Sequence, residues 1–423
     1  MQPLRPRFIT GIGRLAVTEP STDILPVEPV STLRDVWLEI DDGTVIRIGS
    51  EGEPVPDVEV DTSEILDVKG RLVTPGLVDA HTHPVFVGMR QGEFVRRCRG
   101  ETYRQIAAAG GGILASVQGV RSAGEDELEE LILRRLDRFL ELGVTTIEAK
   151  SGYGLTLKDE LKSLRALKRA SIRHEIDVSP TLLGAHVIPP EYRNNPDRYV
   201  ALVCDAMIPR AAEDGLAEAV DLFLEEGAFD LRQARDIFTA GREAGLMLRI
   251  HADQFTAGGG AQLAAEFGAA SADHMDRTDD AGFQRLAAAG VTVVLLPGAV
   301  FFLGLDEYAP ARRIIDSGCR IALSTDYNPG SSPTQSLPLI MTLACIKMGL
   351  TPHEALWAVT MGGAWALHRQ DRIGTLQPGY QADICVWDAD DVDVIPYRYG
   401  DMIPAHVLKK GTVVARRGCR IGM

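Results

Sequence analysis

The feature that most constrains the fold of this chain is an alternation of strand-like and helix-like segments through its middle. Eight segments have the short apolar character of buried parallel strands: 72–80, 144–150, 178–185, 220–225, 246–251, 270–274, 291–296 and 320–325. Amphipathic helical periodicity separates most of them, in 125–142, 157–173, 231–244, 261–267 and 279–289. Eight strands and helices over about 300 residues predict an α/β fold, a (β/α)8 TIM-type barrel.

An open, doubly wound sheet is the alternative arrangement for the same alternation of strands and helices. In an open sheet the ligand site forms at one switch point of the strand order. Here, polar residues that can bind a metal follow strands all along the segment. A barrel brings the ends of all its strands to one face, so the sequence favours the barrel.

The two ends of the chain have a different pattern, that of antiparallel β-structure. Residues 36–48 alternate apolar and polar side chains around Asp42-Gly43, a pair typical of hairpin turns. Residues 382–387 and 406–415 alternate in the same way. Each end alone is too short to bury a good core, so we expect the two ends to fold together.

These patterns predict two domains. Residues 1–70 and 375–423 are expected to form a small β-sandwich domain, and residues 71–374 the barrel.

Composition excludes several classes of protein. With 44 Lys and Arg against 59 Asp and Glu, the net charge is −15, and a duplex nucleic-acid binder would need a basic face. The most apolar stretch, 291–305, is too short to span a membrane and contains Pro297 and Gly298. The six cysteines form no CxxC pair, and the N-terminal region has no continuous apolar segment typical of a secretory signal. We therefore expect a cytoplasmic protein.

The sharpest local pattern is VDAHTHP at the end of the first barrel strand. Residues two apart on a strand share a face, so His81 and His83 are expected to point together into the barrel mouth. Alone, this pair is equally compatible with structural histidines. His251 and His274 close two further strands, however, and Asp326 follows the last one. Imidazoles and a carboxylate at one face predict a metal site.

Longer segments around these residues resemble the amidohydrolase superfamily of metal-dependent hydrolases. The matching segments are PGLVDAHTHP, GGGI, EAKSGYGL, LGAH, HADQ and DYNPGS, and they narrow the resemblance to the imidazolonepropionase family. The resemblance covers the whole barrel and the flanking β segments. It implies hydrolysis of the cyclic amide of 4-imidazolone-5-propanoate to N-formimidoyl-L-glutamate, a step of histidine degradation, by a metal-activated water.

The resemblance also implies roles for individual residues. The residues that match metal ligands are His81, His83, His251 and Asp326, which suit zinc or iron equally. The catalytic candidates are Asp326, His274 and His251. The residues expected to contact substrate are Arg90, Tyr153, His186, Gln254, Asn328, Gly330 and Ser331. Among them, the Arg90 guanidinium is expected to pair with the propionate, since its fork matches a carboxylate.

The chain departs from the family pattern at Gln254, where some members have Glu, and at Met89, where an acidic residue is frequent. Gln254 is therefore expected to bind substrate rather than to transfer a proton. Members with two metals bridge them through a carboxylated lysine ending the fourth strand. Here that strand ends in Glu225 and Lys150 ends the second, so we predict one metal. Glu225 is expected to orient a ligand histidine or to bind the ring.

Two other functions remain compatible with these residues. A heteroaromatic-ring aminohydrolase (a deaminase) shares the histidines and the aspartate but does not need Arg90 or the segment 328–331. A catalytically silent metal-binding or scaffold protein is the second alternative. Expected partners are a small-molecule substrate and, by resemblance, a second copy of the chain, but neither nucleic acid nor a membrane.

Overall fold

The structure is a computed structural model that describes residues 4–20, 25–26, 28–50, 53, 64–102, 105–106 and 109–421. Within these residues the chain forms two eight-stranded sheets. Their strands are β1 Phe8–Thr18, β2 Val30–Asp41, β3 Thr44–Gly49, β4 Ile65–Pro75, β5 Leu77–Asp79, β6 Val144–Lys150, β7 Asp177–Ala185, β8 Ala219–Leu224, β9 Met247–Ala252, β10 Ser271–His274, β11 Thr292–Leu295, β12 Ile321–Leu323, β13 Ile384–Trp387, β14 Pro404–Lys409, β15 Thr412–Arg416 and β16 Cys419–Arg420.

Helices pack between and around these strands. The α-helices are Gln91–Cys98, Ile113–Ser122, Glu125–Glu141, Leu157–Arg173, Pro196–Leu202, Ile208–Glu213, Leu231–Glu243, Gly260–Phe267, Asp280–Ala288, Pro297–Leu303, Ala311–Asp316, Leu337–Met348, Pro352–Trp357, Gly363–Ala366 and Val394–Tyr397. A 3-10 turn spans Pro190–Tyr192, and π-helical turns span Val203–Met207 and Ala358–Gly362. All five predicted helices are confirmed to within one residue at each end. In the described part of the chain, no helix combines the length and apolarity needed to cross a membrane.

Strands β5 to β12 form the predicted barrel. Each strand lies parallel to the next, and the spatial order follows the chain order. Backbone contacts between the segments that follow β5 and β12 link the first strand to the last. The Asp326 N–H donates to the His81 carbonyl at 3.1 Å, and the His83 N–H donates to the Tyr327 carbonyl at 2.9 Å. The same contacts hold the two ligand-bearing segments side by side.

The predicted first barrel strand, 72–80, is wrong as a single element. The chain leaves the terminal sheet after β4 and enters the barrel at β5, with Gly76 between them. A Cβ at Gly76 would overlap the Thr145 side chain, so glycine allows this crossing by close approach. The apolar pattern hides the break because the residues on both sides of Gly76 are buried.

The other sheet contains strands from both ends of the chain. Its order is β16-β15-β14-β13-β4-β1-β2-β3, a single sheet that closes over a shared apolar core. The predicted turn between β2 and β3 is confirmed, with positive φ at Asp42 (42°) and Gly43 (73°). This hairpin also bonds to the segment before β13, where the Ala382 N–H donates to the Gly43 carbonyl at 2.8 Å. The two ends of the chain therefore fold together, as predicted.

A buried lysine joins the terminal sheet to the barrel. Nζ of Lys409, on β14, lies 2.6 Å from Oδ2 of Asp383 and 2.7 Å from Oδ2 of Asp177, the first residue of β7. The Lys409 side chain is only 2% exposed. Although burial opposes ionisation of Asp177, Lys409 holds the pKa of this carboxyl below its usual range. Removing the ammonium would leave two carboxylates without their main compensating charge.

We expect Lys409→Met to lower the free energy of unfolding by about 3–5 kcal/mol, the usual cost of breaking a buried ion pair. Lys410→Met is the matched control, since Lys410 contacts Asp177 from a side chain that is 53% exposed, and should cost less than about 1 kcal/mol. Denaturant unfolding at pH 7 measures both. An equal loss of unfolding free energy in the two variants would contradict the view that burial makes the Lys409 ion pairs the stronger ones.

The difference between wild type and Lys409→Met should shrink in acid. Because the pKa of Asp177 is lower in the folded state, the pair stabilises the fold above the unfolded value of about 3.9 and loses this effect as the pH falls.

Candidate metal centre and active site

Four predicted ligands converge at the carboxyl ends of the barrel strands. His81 and His83 follow β5, His251 lies on β9 and Asp326 follows β12. Nε2 of His83 lies 3.3 Å from Nε2 of His81, 3.3 Å from Nε2 of His251 and 3.3 Å from Oδ1 of Asp326. The His81 Nε2 lies 3.6 Å from the same oxygen. All four side chains are buried.

The chemistry of this donor set fits a metal ion. Burial lowers the pKa values of His81 and His83 well below the usual value, so both rings are neutral at pH 7. Nδ1 of His81 lies 2.6 Å from Oδ2 of Asp273, and Nδ1 of His251 lies 3.0 Å from Oδ2 of Asp221. A carboxylate at Nδ1 keeps the proton there and directs the Nε2 lone pair to the centre. Facing lone pairs repel each other unless a cation lies between them.

Lys150 compensates part of the negative charge of the carboxylates beneath this centre. Its Nζ lies 2.8 Å from Asp221, 2.9 Å from Glu148 and 4.0 Å from Asp273. All these side chains are fully buried, and although burial opposes its charge, Asp221 and Glu148 raise the pKa of Lys150. The sequence singled out Lys150 only as an improbable bridging lysine. Of the three carboxylates, only the contact with Glu148 could have been predicted from strand periodicity, because Glu148 and Lys150 are two residues apart on β6.

Of the two roles predicted for Glu225, orientation of a ligand histidine is wrong, because Asp273 and Asp221 contact His81 and His251. The Glu225 carboxylate accepts the N–H groups of Phe255, at 2.9 Å, and Thr256, at 3.3 Å, together with the Thr256 hydroxyl. Glu225 lies just beyond the end of β8, so backbone donors of the loop after β9 reach it first. Asp221, which points inward from β8, orients His251 instead. Glu225 shapes the loop that carries Gln254.

A cavity of about 100 Å³ opens above the ligands, a size that suits one small ring. The structure brings all the predicted substrate residues to its wall, together with His274: Arg90, Tyr153, His186, Gln254, Asn328, Gly330 and Ser331. Apolar lining residues to which the sequence analysis gave no role are Ile113, Phe223, Phe255 and Leu303. Two of them could have been found: Ile113 belongs to the matching segment GGGI, and Phe223 lies two residues after Asp221 on β8. Met89 is 52% exposed and does not line the cavity.

Two histidines of the cavity, His186 and His274, are neutral. Burial lowers the pKa values of both His186 and His274 to about 3. Nδ1 of His186 lies 2.9 Å from the Gly152 carbonyl oxygen and donates to it, which leaves Nε2 as an acceptor toward the cavity. His274 ends β10 with a φ of 75°, an unusual backbone conformation that projects its ring from the strand end.

The loop after β12 is shaped by one amide side chain. Oδ1 of Asn328 accepts the N–H groups of Gly330 and Ser331, both at 2.8 Å, and Nδ2 donates to the Asp326 carbonyl at 2.7 Å. The amide is therefore largely committed to the loop itself. At Gly330 a Cβ would overlap the Arg90 guanidinium, so glycine leaves room for the guanidinium in its present position, and no positive φ is involved.

The buried, apolar face of the helix Glu125–Glu141 contains one arginine, Arg135, and the structure shows why. Its Nη1 donates to the carbonyls of Pro84, at 2.6 Å, and Phe86, at 2.8 Å, and its guanidinium lies 3.5 Å from the Phe86 ring centroid. The helix thereby fixes the segment that directly follows His83.

Known proteins resemble this chain over nearly its full length. The profile described as "Amidohydrolase family" matches residues 92–415. An imidazolonepropionase of Geobacillus kaustophilus is 46% identical over 98% of this chain and 99% of its own length. An imidazolonepropionase of Brevibacillus brevis is 47% identical over 90% of each chain.

Solved structures share the fold at much lower identity. A 5-methylcytosine deaminase from Klebsiella pneumoniae liganded with phosphonocytosine superposes with a TM-score of 0.74 at 18% identity, covering 98% of this chain and 100% of its own. An adenosine deaminase from Xanthomonas campestris with bound zinc gives 0.70 at 18% identity, covering 98% and 94%. At these identities the likeness shows the fold alone.

We expect Asp221→Asn to weaken metal binding by about 10–100-fold, since an amide no longer fixes the His251 proton at Nδ1. Chelator competition with the purified protein measures the affinity. Asp236→Asn, at an exposed aspartate paired with Arg232, is the control and should bind metal as wild type does. Unchanged affinity in folded Asp221→Asn would show that this contact does not orient the ligand.

Proposed function

The chain belongs to the amidohydrolase family and, within it, to the imidazolonepropionases, and from this membership we propose that it hydrolyses 4-imidazolone-5-propanoate to N-formimidoyl-L-glutamate. The observation that carries the proposal is the presence of Arg90 in the same small cavity as the histidine and aspartate donors. A guanidinium recognises a carboxylate, and the propionate arm is the part of this substrate that simpler cyclic amides lack.

We propose that His81, His83, His251 and Asp326 hold one metal ion, zinc or iron, for which three imidazoles and a carboxylate are suitable donors. When bound, such an ion polarises the carbonyl and lowers the pKa of a bound water to about 7. The single-ion proposal is supported by Lys150, whose amine is already enclosed by carboxylates.

The remaining steps fall to side chains of the chain itself. The Asp326 carboxylate accepts a proton from the attacking water and returns it to the ring nitrogen as the amide C–N bond breaks. The neutral His274 imidazole donates a hydrogen bond to the carbonyl oxygen as negative charge develops there. His251 contributes to catalysis as one of the residues that would hold the metal ion.

Different side chains bind the two ends of the substrate, its ring and its propionate. Nε2 of His186 accepts a ring N–H, and the side chains of Gln254 and Ser331 supply further polar contacts to the ring. Tyr153 lies with its ring centroid 5.3 Å from that of His186 and packs beside the substrate ring. Asn328 and Gly330 shape the loop after β12 and contact the substrate from the cavity wall. Arg90 pairs with the propionate.

Three broader expectations also enter as proposals. The domain division of residues 1–70 with 375–423 from 71–374 is supported by the two separate sheets, although its first boundary falls within β4. A cytoplasmic location is supported by the six free cysteines. We also keep the sequence expectations of a homodimer and of no nucleic-acid or membrane partner.

The wild-type protein, assayed with metal and freshly generated 4-imidazolone-5-propanoate, should release N-formimidoyl-L-glutamate without ammonia. Product identification by mass spectrometry and an ammonia assay together test this. Ammonia as the product would support a deaminase instead. No turnover of any cyclic amide by metal-loaded protein would support a catalytically silent protein.

Both Asp326→Ala and His251→Ala should abolish turnover and metal retention, because each removes a direct donor from the site. Elemental analysis and steady-state kinetics measure the two effects. His406→Ala, on β14 of the terminal sheet, is the histidine control and should keep both properties. Full activity of either site variant in metal-replete assays would refute the assignment.

A further inference from the structure

The predicted propionate anchor, Arg90, forms an ion pair with a carboxylate of the chain itself. Nη2 of Arg90 lies 2.7 Å from Oε2 of Glu93, and their side chains are only 8% and 11% exposed. Although burial opposes its ionisation, hydrogen bonds from Arg90 and the Gly112 N–H lower the pKa of Glu93. Glu93 therefore carries a negative charge beside the cavity, and the proposed reaction gives this charge no role.

The second oxygen of Glu93 fixes another part of the cavity wall. Oε1 accepts the Gly112 N–H at 2.8 Å, and Gly112 precedes the helix Ile113–Ser122. The side chain of Ile113, the first residue of that helix, lines the cavity. The positive end of the helix dipole also stabilises the carboxylate. One carboxylate thus connects the cation and an apolar wall of the same cavity.

Core packing does not set the position of Arg90. None of the residues of the adjoining helix Gln91–Cys98 is buried. Contacts near the surface hold this helix instead. Nη1 of Arg97 donates to the Gly330 carbonyl at 3.2 Å, Glu93 bonds to Gly112, and the Phe94 ring stacks on that of Phe302. The direction of the Arg90 guanidinium therefore depends on polar contacts such as that with Glu93.

From this geometry we infer that Glu93 is a positioning residue that gives the site its selectivity for a substrate bearing a carboxylate. It holds one edge of the Arg90 guanidinium, while the Gly330 backbone packs against the group. Arg90, which lines the cavity, is thereby oriented before substrate arrives, and this reduces the entropy lost on binding. The inference rests on the proposed function only in taking the propionate as the partner of Arg90.

Glu93→Gln tests this role because an amide cannot satisfy both contacts. Its single oxygen can accept from Arg90 or from Gly112, and its NH2 group then opposes the other donor. The test ligands are 3-(imidazol-4-yl)propanoate and 4-propylimidazole, which share a ring but differ in the carboxylate. Calorimetry on the metal-loaded protein gives their dissociation constants without requiring turnover.

Glu93→Gln should weaken binding of the propanoate about tenfold and leave binding of propylimidazole within about twofold. Arg90→Met should likewise weaken binding of the propanoate and leave binding of propylimidazole nearly unchanged. In the double variant, Glu93→Gln should add less than about twofold to the effect of Arg90→Met, because the two residues act through one contact. Glu101→Gln, which breaks the exposed pair with Arg96 on the same segment, should match wild type.

Three results would overturn the inference. Glu93→Gln could weaken both ligands equally, its effect could add fully to that of Arg90→Met, or wild type could bind the two ligands with equal affinity. Failure of the proposed function is a separate result: wild type would then form no N-formimidoyl-L-glutamate, while the binding constants would still decide the role of Glu93.

Discussion

The active face depends on the pairing of buried charges inside the barrel. Lys150 lies among Glu148, Asp221 and Asp273, all without solvent exposure. An isolated charge would be very costly at this depth, so these groups are tolerable only together. Asp273 and Asp221 also contact Nδ1 of His81 and Nδ1 of His251, respectively. The orientation of the candidate metal ligands is thus determined from below, by groups that never reach the cavity.

Above this layer, the loops determine what the site can recognise. The barrel positions the donors rigidly at strand ends, whereas Arg90, Gln254 and Gly330 reach the cavity from connecting segments. Each segment is held by hydrogen bonds to a side chain of the chain itself: Glu93, Glu225 or Asn328. The chain has a net charge of −15 but can still bind an anionic substrate. Donors inside the cavity act on it at short range, whereas salt screens the repulsion from the distant surface charges.

Strand periodicity was enough to predict the barrel and the convergence of His81, His83, His251 and Asp326, because side-chain direction along a strand is a local property. The buried pairs were harder to predict. Asp221 and Asp273 occupy ordinary inward positions, and their partner lies on a different strand, so only the closed barrel shows that they meet Lys150. Glu225 was misjudged for the same reason, since the competing donors come from another loop. The break at Gly76 left no trace because both neighbouring strands are apolar.

The placement of β4 between β1 and β13 has a consequence for how the chain reaches this fold during synthesis. β4 emerges early from the ribosome, but the strand that covers its other edge follows only after the whole barrel. Until then that edge is exposed to pairing with other chains. Such distant pairings also slow folding. Because only Gly76 separates β4 from the first barrel strand, late completion of the terminal sheet also delays the fixing of the segment that carries His81 and His83.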